Sequence, residues 1–578
     1  MTAGVERATP PAPRWALPAR IDPGEVRRIE RLTRLPEPLC TLLVRRGIGT
    51  DADVRSYLRP SLEALHPPGL LPDMDAAASR IETALRSGET ILVHGDYDVD
   101  GMTGAAVLSG GLADLGADVT PFVPHRTRDG YDLGPTGVAT AADRGATLIV
   151  TVDCGVTAVD AVRLAGEQGI DVVVTDHHRP GPELPAAVAV VNPNRPNSRY
   201  PFNGLSGVGV GFKLIQELFE RQGLGSGKLN RYLDLVALGT IADQVPLEDE
   251  NRVFGRFGLQ VLERTPRPGL RALMNVANVG RWSAPRASDV AFRLAPRLNS
   301  AGRIAEAADG LRALTTADTA EAEQLALQIE QTNVERRAAD RSIYEEAVAM
   351  LEEDFDAERD RIVVLWSENW HPGVLGIAAS RLVDRLGRPT ILASVDGDRA
   401  RGSARSIPSF HLYDALAACA DLFDRFGGHA VAAGFDIPSA DLPELRRRLA
   451  AGAVGSLPAE SLGPEIDIDL EVALGDISDD FVRGFAYLEP FGSSNPIPRL
   501  LARDVTLTEL GTVGGGEHLK AVLQQEGARL EAIAFREGRQ EAELAAEPRR
   551  DVVFELHVEM ARRGPRVQAH ILSMAPCV

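Results

Sequence analysis

Cysteine is scarce in this chain of 578 residues: Cys40, Cys154, Cys419 and Cys577 lie far apart and no two form a CxxC pair. That spacing excludes a disulfide framework and a structural zinc ribbon, and it fits a reducing compartment. Lysine is scarcer still, at Lys213, Lys228 and Lys520 only, so arginine carries the positive charge. Its planar fork suits phosphate. Aromatic residues make up 5%, and core packing is the expected role for most of them. No apolar run reaches the roughly 18 residues of a membrane span, and the first residues lack the apolar core of a secretory leader. A cytoplasmic protein with no membrane contact is expected. A positive net charge is also missing: 62 Lys and Arg against 82 Asp and Glu leave −20. That argues against a general nucleic-acid coat but leaves room for a local basic channel.

The length exceeds the roughly 250–300 residues at which a single core stops growing, so about three domains are expected. Residues 1–20 are rich in Pro, Ala and Arg and read as disordered at their start, and 25–62 carry helical spacing. From about residue 79 the pattern alternates between short apolar runs and helical stretches: "TILVHGDYD", "TGAAVLSGGLADLG", "DVTPFVP" (a strand interrupted by Pro121), "ATLIVTVDCG", "AVDAVRLAGEQG" and "IDVVVTDHH". Such alternation predicts a mostly parallel sheet covered on both faces. Residues 316–353, almost free of breakers, read as one long helix. A second α/β unit follows, in which "GGHAVAAG" reads as a Gly-rich turn. A linker is expected at 458–464, then a β-rich domain of OB type. The expected division is an N-terminal extension at 1–70, a catalytic domain at 71–255, a helical connector at 256–345, a substrate-binding domain at 346–457 and the β-rich domain at 465–578.

The chemistry sits where charged residues follow apolar runs. "VHGDYDVDG" (93–101), "TVDCG" (151–155), "VTDHH" (174–178) and "IADQVP" (241–246) each end an apolar run in Asp or His. Ligands of an open parallel sheet bind beyond the carboxyl ends of its strands, so one rim is expected to receive His94, Asp96, Asp98, Asp100, Asp153, Asp176, His177, His178 and Asp243. One Asp after a strand is as often a turn cap as a ligand, but four such segments together outweigh that reading. So many carboxylates repel one another unless cations neutralise them. Carboxylate with imidazole suits Mn²⁺, Fe²⁺, Zn²⁺ or Mg²⁺. Two ions about 3.5–4 Å apart polarise a phosphoryl group and generate hydroxide near neutral pH.

"VHGDYDVDG", "TVDCG" and "TDHH" resemble the motifs of the DHH phosphoesterase superfamily. "APRLNSAGR" (295–303), "WHPGVLGIAASRL" (370–382), "GSARS" (402–406) and "GGHAVAAG" (427–434) follow in the order of its RecJ family of single-strand-specific exonucleases. The resemblance runs from about residue 70 to the C-terminus. It implies two α/β domains, of DHH and DHHA1 type, joined by a long helix and followed by an OB-like domain. It implies two divalent ions, with Mn²⁺ favoured over Mg²⁺. His94 and Asp98 would hold one ion and Asp100 the other. Asp153 would bridge them, and His177 and Asp243 would complete the second site. His178 would touch the scissile phosphate and Asp176 would support the histidines, while Asp96 stays open between ligand and supporting residue. Arg126 resembles an arginine near a 5′-phosphate pocket. Arg297 and Arg303 would clamp phosphate, and Gly402, Ser403, Arg405, Ser406, Gly427, Gly428 and His429 would handle the strand. The chain departs from the family at "GYDLGP" (130–135) and at Ser493 and Ser494 in "EPFGSSNPIP".

The resemblance implies a 5′→3′ exonuclease for single-stranded DNA in repair and recombination, served by a helicase and a single-strand-binding protein. The alternatives are a phosphodiesterase for short oligonucleotides or cyclic dinucleotides, or a strand-binding scaffold without catalysis. With no sustained heptad pattern, a monomer is expected.

Overall fold

The computed structural model of the chain describes residues 13–126, 128–356, 359–458, 461–561 and 564–577. It divides into two compact units, Met1–Pro18 with Asn333–Ile468 and Ala19–Thr332 with Asp469–Val578. The expectation of disorder at the start of the chain concerns residues 1–12, outside the described residues. Arg14–Ala16 pairs in parallel with Glu465–Asp467. The linker expected at 458–464 also lies partly outside them, at 459–460.

The larger unit is built on five parallel strands, β1 (Thr90–Gly95), β2 (Asp118–Phe122), β3 (Leu148–Val152), β4 (Asp171–Thr175) and β5 (Ala189–Val191), in the order β2-β1-β3-β4-β5. Alternate side chains enter two different cores: Ile91, Val93, Leu148 and Val150 face one layer, while Leu92, Ile149, Val172 and Val174 face the other. A strand buried on both faces must be apolar at every position, which is why these runs are continuous rather than alternating. Pro121 does not break β2, because β2 is the sheet edge, where a missing N–H leaves no ladder bond unmade. The order reverses between β1 and β3, and the crevice at that switch point is where such sheets bind ligands.

Four helices shape the rim of this sheet and its surroundings: α1 (Val99–Asp114), α2 (Gly207–Arg221), α3 (Leu233–Ala242) and α4 (Asp249–Glu263). The run ending in "IADQVP" is α3 and not a strand, so Asp243 reaches the rim from a helix C-terminus. Every residue from Leu233 to Ile241 is buried, and a short run that is apolar all round gives no periodicity by which helix and strand differ.

The C-terminal strands β11 (Arg499–Val513), β12 (His518–Gln525), β13 (Ala528–Ala534), β14 (Arg549–Ala561) and β15 (Gly564–Pro576) close into a barrel in the order β11-β12-β13-β15-β14, with β14 returning to β11. That is the OB-type barrel the sequence predicts. Helices at Pro23–Thr33, Glu37–Arg45 and Asp51–Leu58 contribute Ile29, Leu39, Leu43 and Val54 to the same core as barrel residues Leu500, Leu519 and Phe554.

The smaller unit holds a second sheet of β6 (Val363–Ser367), β7 (Thr390–Asp396), β8 (Arg399–Arg405), β9 (Arg425–Gly428) and β10 (Ala432–Pro438), in the order β9-β10-β8-β7-β6. "GGHAVAAG" is thus the tip of a hairpin, with both flanks in strand, rather than a turn alone. The long helix α5 spans Thr319–Asp354, beginning in the larger unit and ending in the smaller.

Helix α4 crosses α3 through Gly258. A Cβ there would sit 2.2 Å from the Leu233 carbonyl and 2.4 Å from the Ala237 methyl. Gly258→Ala should therefore cost about 1–3 kcal/mol through overpacking, measured as a lower melting temperature in calorimetry. Unchanged melting would show that the helices do not approach so closely.

Candidate metal centre

The strand ladders fix the geometry of the rim. Gly95, Val152 and Thr175 are register partners across β1, β3 and β4, and Thr175 pairs with Val191 of β5. The next residues, Asp96, Asp153, Asp176 and Asn192, therefore stand in one row along the carboxyl edge. Asp153 adopts a left-handed backbone, with φ of 63°. Strain of this kind costs on the order of 1–3 kcal/mol and persists where the surroundings enforce it. Here the Asp153 N–H donates to the Thr175 carbonyl at 3.1 Å.

Helix α1 supplies the second tier. Asp98 caps it by accepting from the Gly101 N–H at 3.1 Å. Asp100, 1% exposed, accepts from the first two N–H groups of α2, Gly207 at 2.6 Å and Val208 at 2.9 Å. A helix N-terminus favours an anion, yet burial, followed by the charge of Asp98, still pushes Asp100 up to about 7. A Cβ at Gly207 would lie 2.5 Å from the Asp153 Cβ, so only glycine lets α2 approach this closely.

The histidines divide the cluster. His177 Nε2 lies 3.1 Å from Asp153 Oδ1, 3.7 Å from Asp243 Oδ2 and 3.9 Å from Asp100 Oδ2. Burial, then the charge of His178, pushes His177 down to about 4, so it is a neutral imidazole. His178 differs. Burial opposes its charge, but its 2.8 Å bond to Asp176 Oδ1 prevails and holds it up at about 9. Asp176 is tied down fully: Oδ1 also accepts from the His177 and His178 N–H groups, and Oδ2 from Val156.

One ligand atom from each of Asp96, Asp98 and Asp153 lies within 4.8 Å of the others, and the same holds for Asp100, His177 and Asp243, and for Asp153, His177 and His178. Asp153 thus joins the two ends of the cluster. These groupings contain Asp96 and leave out His94, whose Nδ1 lies 3.6 Å from Cys154 Sγ. Among the described residues, His94 Nε2, Asp96 Oδ1, Asp153 Oδ1 and His177 Nε2 are buried without a hydrogen-bond partner. Buried polar atoms are almost always paired, and four orphans in one cluster of carboxylate and imidazole are what divalent cations would satisfy.

Several contributors were not singled out from the sequence. Tyr131 Oη lies 3.1 Å from His178 Nε2. Asp132, at φ of 75°, accepts from the Gly155 N–H and the Thr157 hydroxyl, both at 2.6 Å, binding its loop to the one that carries Asp153. Asn192 and Asn194 donate to the carbonyls of His178 and His177. Short polar residues after a strand give no signal of such partners.

The expected substrate residues fare unevenly. Arg126 lies over the Tyr97 ring, 5.1 Å from its centroid, and its charge, with that of Arg303, reaches the Tyr97 hydroxyl. Arg297 is engaged within the protein, by Glu330 and by the Arg293 carbonyl at 2.6 Å, so a phosphate there would have to compete with Glu330. In the smaller unit "GSARS" and "GGHAVAAG" lie on neighbouring strands, with Ser403 opposite Gly434 and Arg405 opposite Ala432. Gly402 has a packing reason of its own: a Cβ there would meet the Phe435 ring at 2.0 Å. Arg405 bonds Ser403 Oγ at 3.2 Å, the Ser406 hydroxyl donates to the Phe410 carbonyl, and Gly427, Gly428 and His429 are exposed at the hairpin tip.

Comparison with known proteins gives three domain matches: the DHH family, N-terminal domain, over residues 90–240, the DHHA1 domain over 359–453 and the RecJ OB domain over 468–573. The single-stranded-DNA-specific exonuclease RecJ of Bacillus subtilis (strain 168) is 38% identical over 549 residues, covering 94% of this chain and 68% of that protein. Two crystal structures of RecJ from Thermus thermophilus are similar. The one in complex with Mn²⁺ has a TM-score of 0.83 at 31% identity, covering 98% of this chain and 80% of that one. The one with Mg²⁺ has a TM-score of 0.77 at 30% identity, covering 98% and 79%. The row of carboxylates and imidazoles in this chain offers ligand atoms suited to divalent ions of that kind.

Burial is also the first cause that raises Asp243 to about 9 and lifts Asp96 and Asp153 well above the usual carboxylate range. These groups keep their protons to higher pH folded than unfolded, so without cations the fold loses stability as pH rises through about 7 and about 9. His94 and His177, held down near 4 chiefly by burial, oppose folding only below about 6.5. Melting in EDTA should therefore fall between pH 6.5 and 8.5, and Mg²⁺ or Mn²⁺ should raise it more at 8.5. A larger gain at 6.5 would contradict this.

Proposed function

This chain belongs to the RecJ family of DHH phosphoesterases, and on that premise we propose that it removes nucleotides from the 5′ end of single-stranded DNA by metal-dependent phosphodiester hydrolysis. The observation that carries the reading is the row of Asp96, Asp153 and Asp176, with four unpartnered buried atoms around it. Asp98 with Asp96 and His94 would hold one ion, Asp100, His177 and Asp243 would hold the other, and Asp153 would serve both. When bound, two such ions neutralise the carboxylates, polarise the phosphoryl group and lower the pKa of water.

The chain's own residues do the rest. Asp176 keeps His178 protonated, so that its Nε2–H, now facing Tyr131 Oη, is available to a phosphate oxygen as the reaction adds negative charge. Neutral His177 keeps a lone pair for coordination. Arg126, braced on Tyr97, receives a terminal phosphate, which carries more charge than an internal one and so selects the 5′ end. Arg303 assists there, while Ser403, Arg405, Ser406, Gly427, Gly428 and His429 handle the strand, and the barrel holds the strand downstream.

The protein works as a monomer in the cytoplasm, in repair and recombination, on strands exposed by a helicase and a single-strand-binding protein. The resemblance supports these partners, and the four free cysteines fit the compartment. No helix among the described residues is long and apolar enough to cross a membrane.

Incubation with Mn²⁺ and end-labelled DNA tests the reading. A 5′ label should appear at once as mononucleotide, a 3′ label late, and duplex should be spared. Good hydrolysis of dinucleotides with long strands ignored would favour the short-substrate alternative. Asp153→Ala should lower the rate by about 10³ or more with the circular dichroism spectrum unchanged. Near-normal activity in that variant would sink the mechanism.

A further inference from the structure

The first turn of helix α4, after the exposed Asp249, holds three consecutive polar residues that are almost fully buried: Glu250 and Asn251 at 0% and Arg252 at 3% exposure. Successive helical residues point about 100° apart, so each faces a different neighbour. Glu250 accepts from Lys213 Nζ at 2.9 Å, the Tyr200 hydroxyl at 2.6 Å and the His66 N–H at 3.0 Å. Asn251 donates to the carbonyls of Gly204 and Pro246. Arg252 donates to four backbone carbonyls, those of Tyr57 at 2.8 Å, Tyr487 at 3.1 Å, Leu488 at 3.2 Å and Glu489 at 3.0 Å, with its guanidinium 3.8 Å from the centroid of the Tyr57 ring.

Arg252 is thus a buried cation whose oxygen partners are all carbonyls, an expensive arrangement for stability alone. Its location accounts for it. The segment it holds, 487–489, leads into the barrel and continues to Ser493, whose carbonyl accepts from the Leu247 N–H at 2.9 Å. Leu247 lies in the loop that joins Asp243 to α4, and Asn251 grips the same loop at Pro246. Asn495 tightens the clamp by donating to the carbonyls of Leu488 and Pro490, and Tyr57 Oη bonds to Asn495 at 2.8 Å.

We propose that Arg252 is a positioning residue for Asp243, locking the segment that enters the barrel onto the Asp243 loop so that the OB domain helps to build the metal centre as well as to hold the strand. This rests on the reading of Asp243 as a ligand. A barrel that served strand binding alone would leave metal affinity untouched by changes at this clamp.

The test is a direct Mn²⁺ titration by calorimetry on the full chain, with turnover of a 5′-phosphorylated dinucleotide, which offers the barrel no strand. Arg252→Lys keeps the charge but cannot span the carbonyls. It should weaken one of two Mn²⁺ sites about tenfold, the range seen when a partner of a metal ligand is lost, and lower dinucleotide turnover similarly. Phe481→Leu, in the core shared with the barrel, should lower the melting temperature and leave both readouts unchanged. Should Arg252→Lys fail to fold, Tyr57→Phe and Asn495→Ala loosen the same clamp and should weaken the same site. Wild-type Mn²⁺ binding in the clamp variants, or equal weakening in Phe481→Leu, would overturn the proposal. Wild-type protein that takes up no Mn²⁺ would instead refute the functional reading beneath it.

Discussion

The rim of the first sheet is organised around one electrostatic conflict: carboxylates from three chain segments are buried together, where burial and then their neighbours' charge disfavour ionisation. Asp100, Asp153 and Asp243 are all raised by burial first and by neighbouring carboxylates second. No sheet needs this for stability. The fold tolerates it because fixed dipoles and N–H groups support the anions from behind, as at Gly207 and Val208 under Asp100. It also leaves the front open, where four buried polar atoms wait for partners. A cluster that is unfavourable when empty and satisfied by cations is how an enzyme concentrates positive charge where a phosphodiester must be attacked.

The parallel ladder converts sequence into this geometry. Since Gly95, Val152 and Thr175 are in register, the residue after each becomes a neighbour of the others. That much was legible from strand-end motifs, because four apolar runs that each end in Asp or His have, taken together, few other meanings. The origin of Asp243 in a helix was not legible, since α3 is buried all round. Nor was the grouping of Asp96 with Asp98 and Asp153, because spacing within one loop does not say which carboxylate turns inward. The pairing of Arg297 with Glu330 and a carbonyl was not legible either, because such a guanidinium reads like a free one in sequence. The packing of the Phe435 ring on Gly402 was not legible, because a glycine demanded by a ring reads like one kept for close backbone approach.

Long-range couplings were invisible as well. The N-terminal helices complete the core of the barrel although the chain runs through both α/β sheets between them. Arg46 and Tyr57 meet Asn495, and Arg252 donates to the carbonyls of Tyr57 and Leu488. These links use single polar side chains against backbone carbonyls, and nothing in composition or periodicity distinguishes such an arginine from a surface one. They give the barrel a direct physical path to the loop that carries Asp243.

The central claim is that two cations share Asp153. Anomalous diffraction from crystals soaked in Mn²⁺ tests it most directly. Two anomalous peaks are expected about 3.5–4 Å apart, one beside Asp96 and Asp98, the other beside Asp100, His177 and Asp243, with Asp153 between them. A single peak, or peaks away from this row, would contradict it.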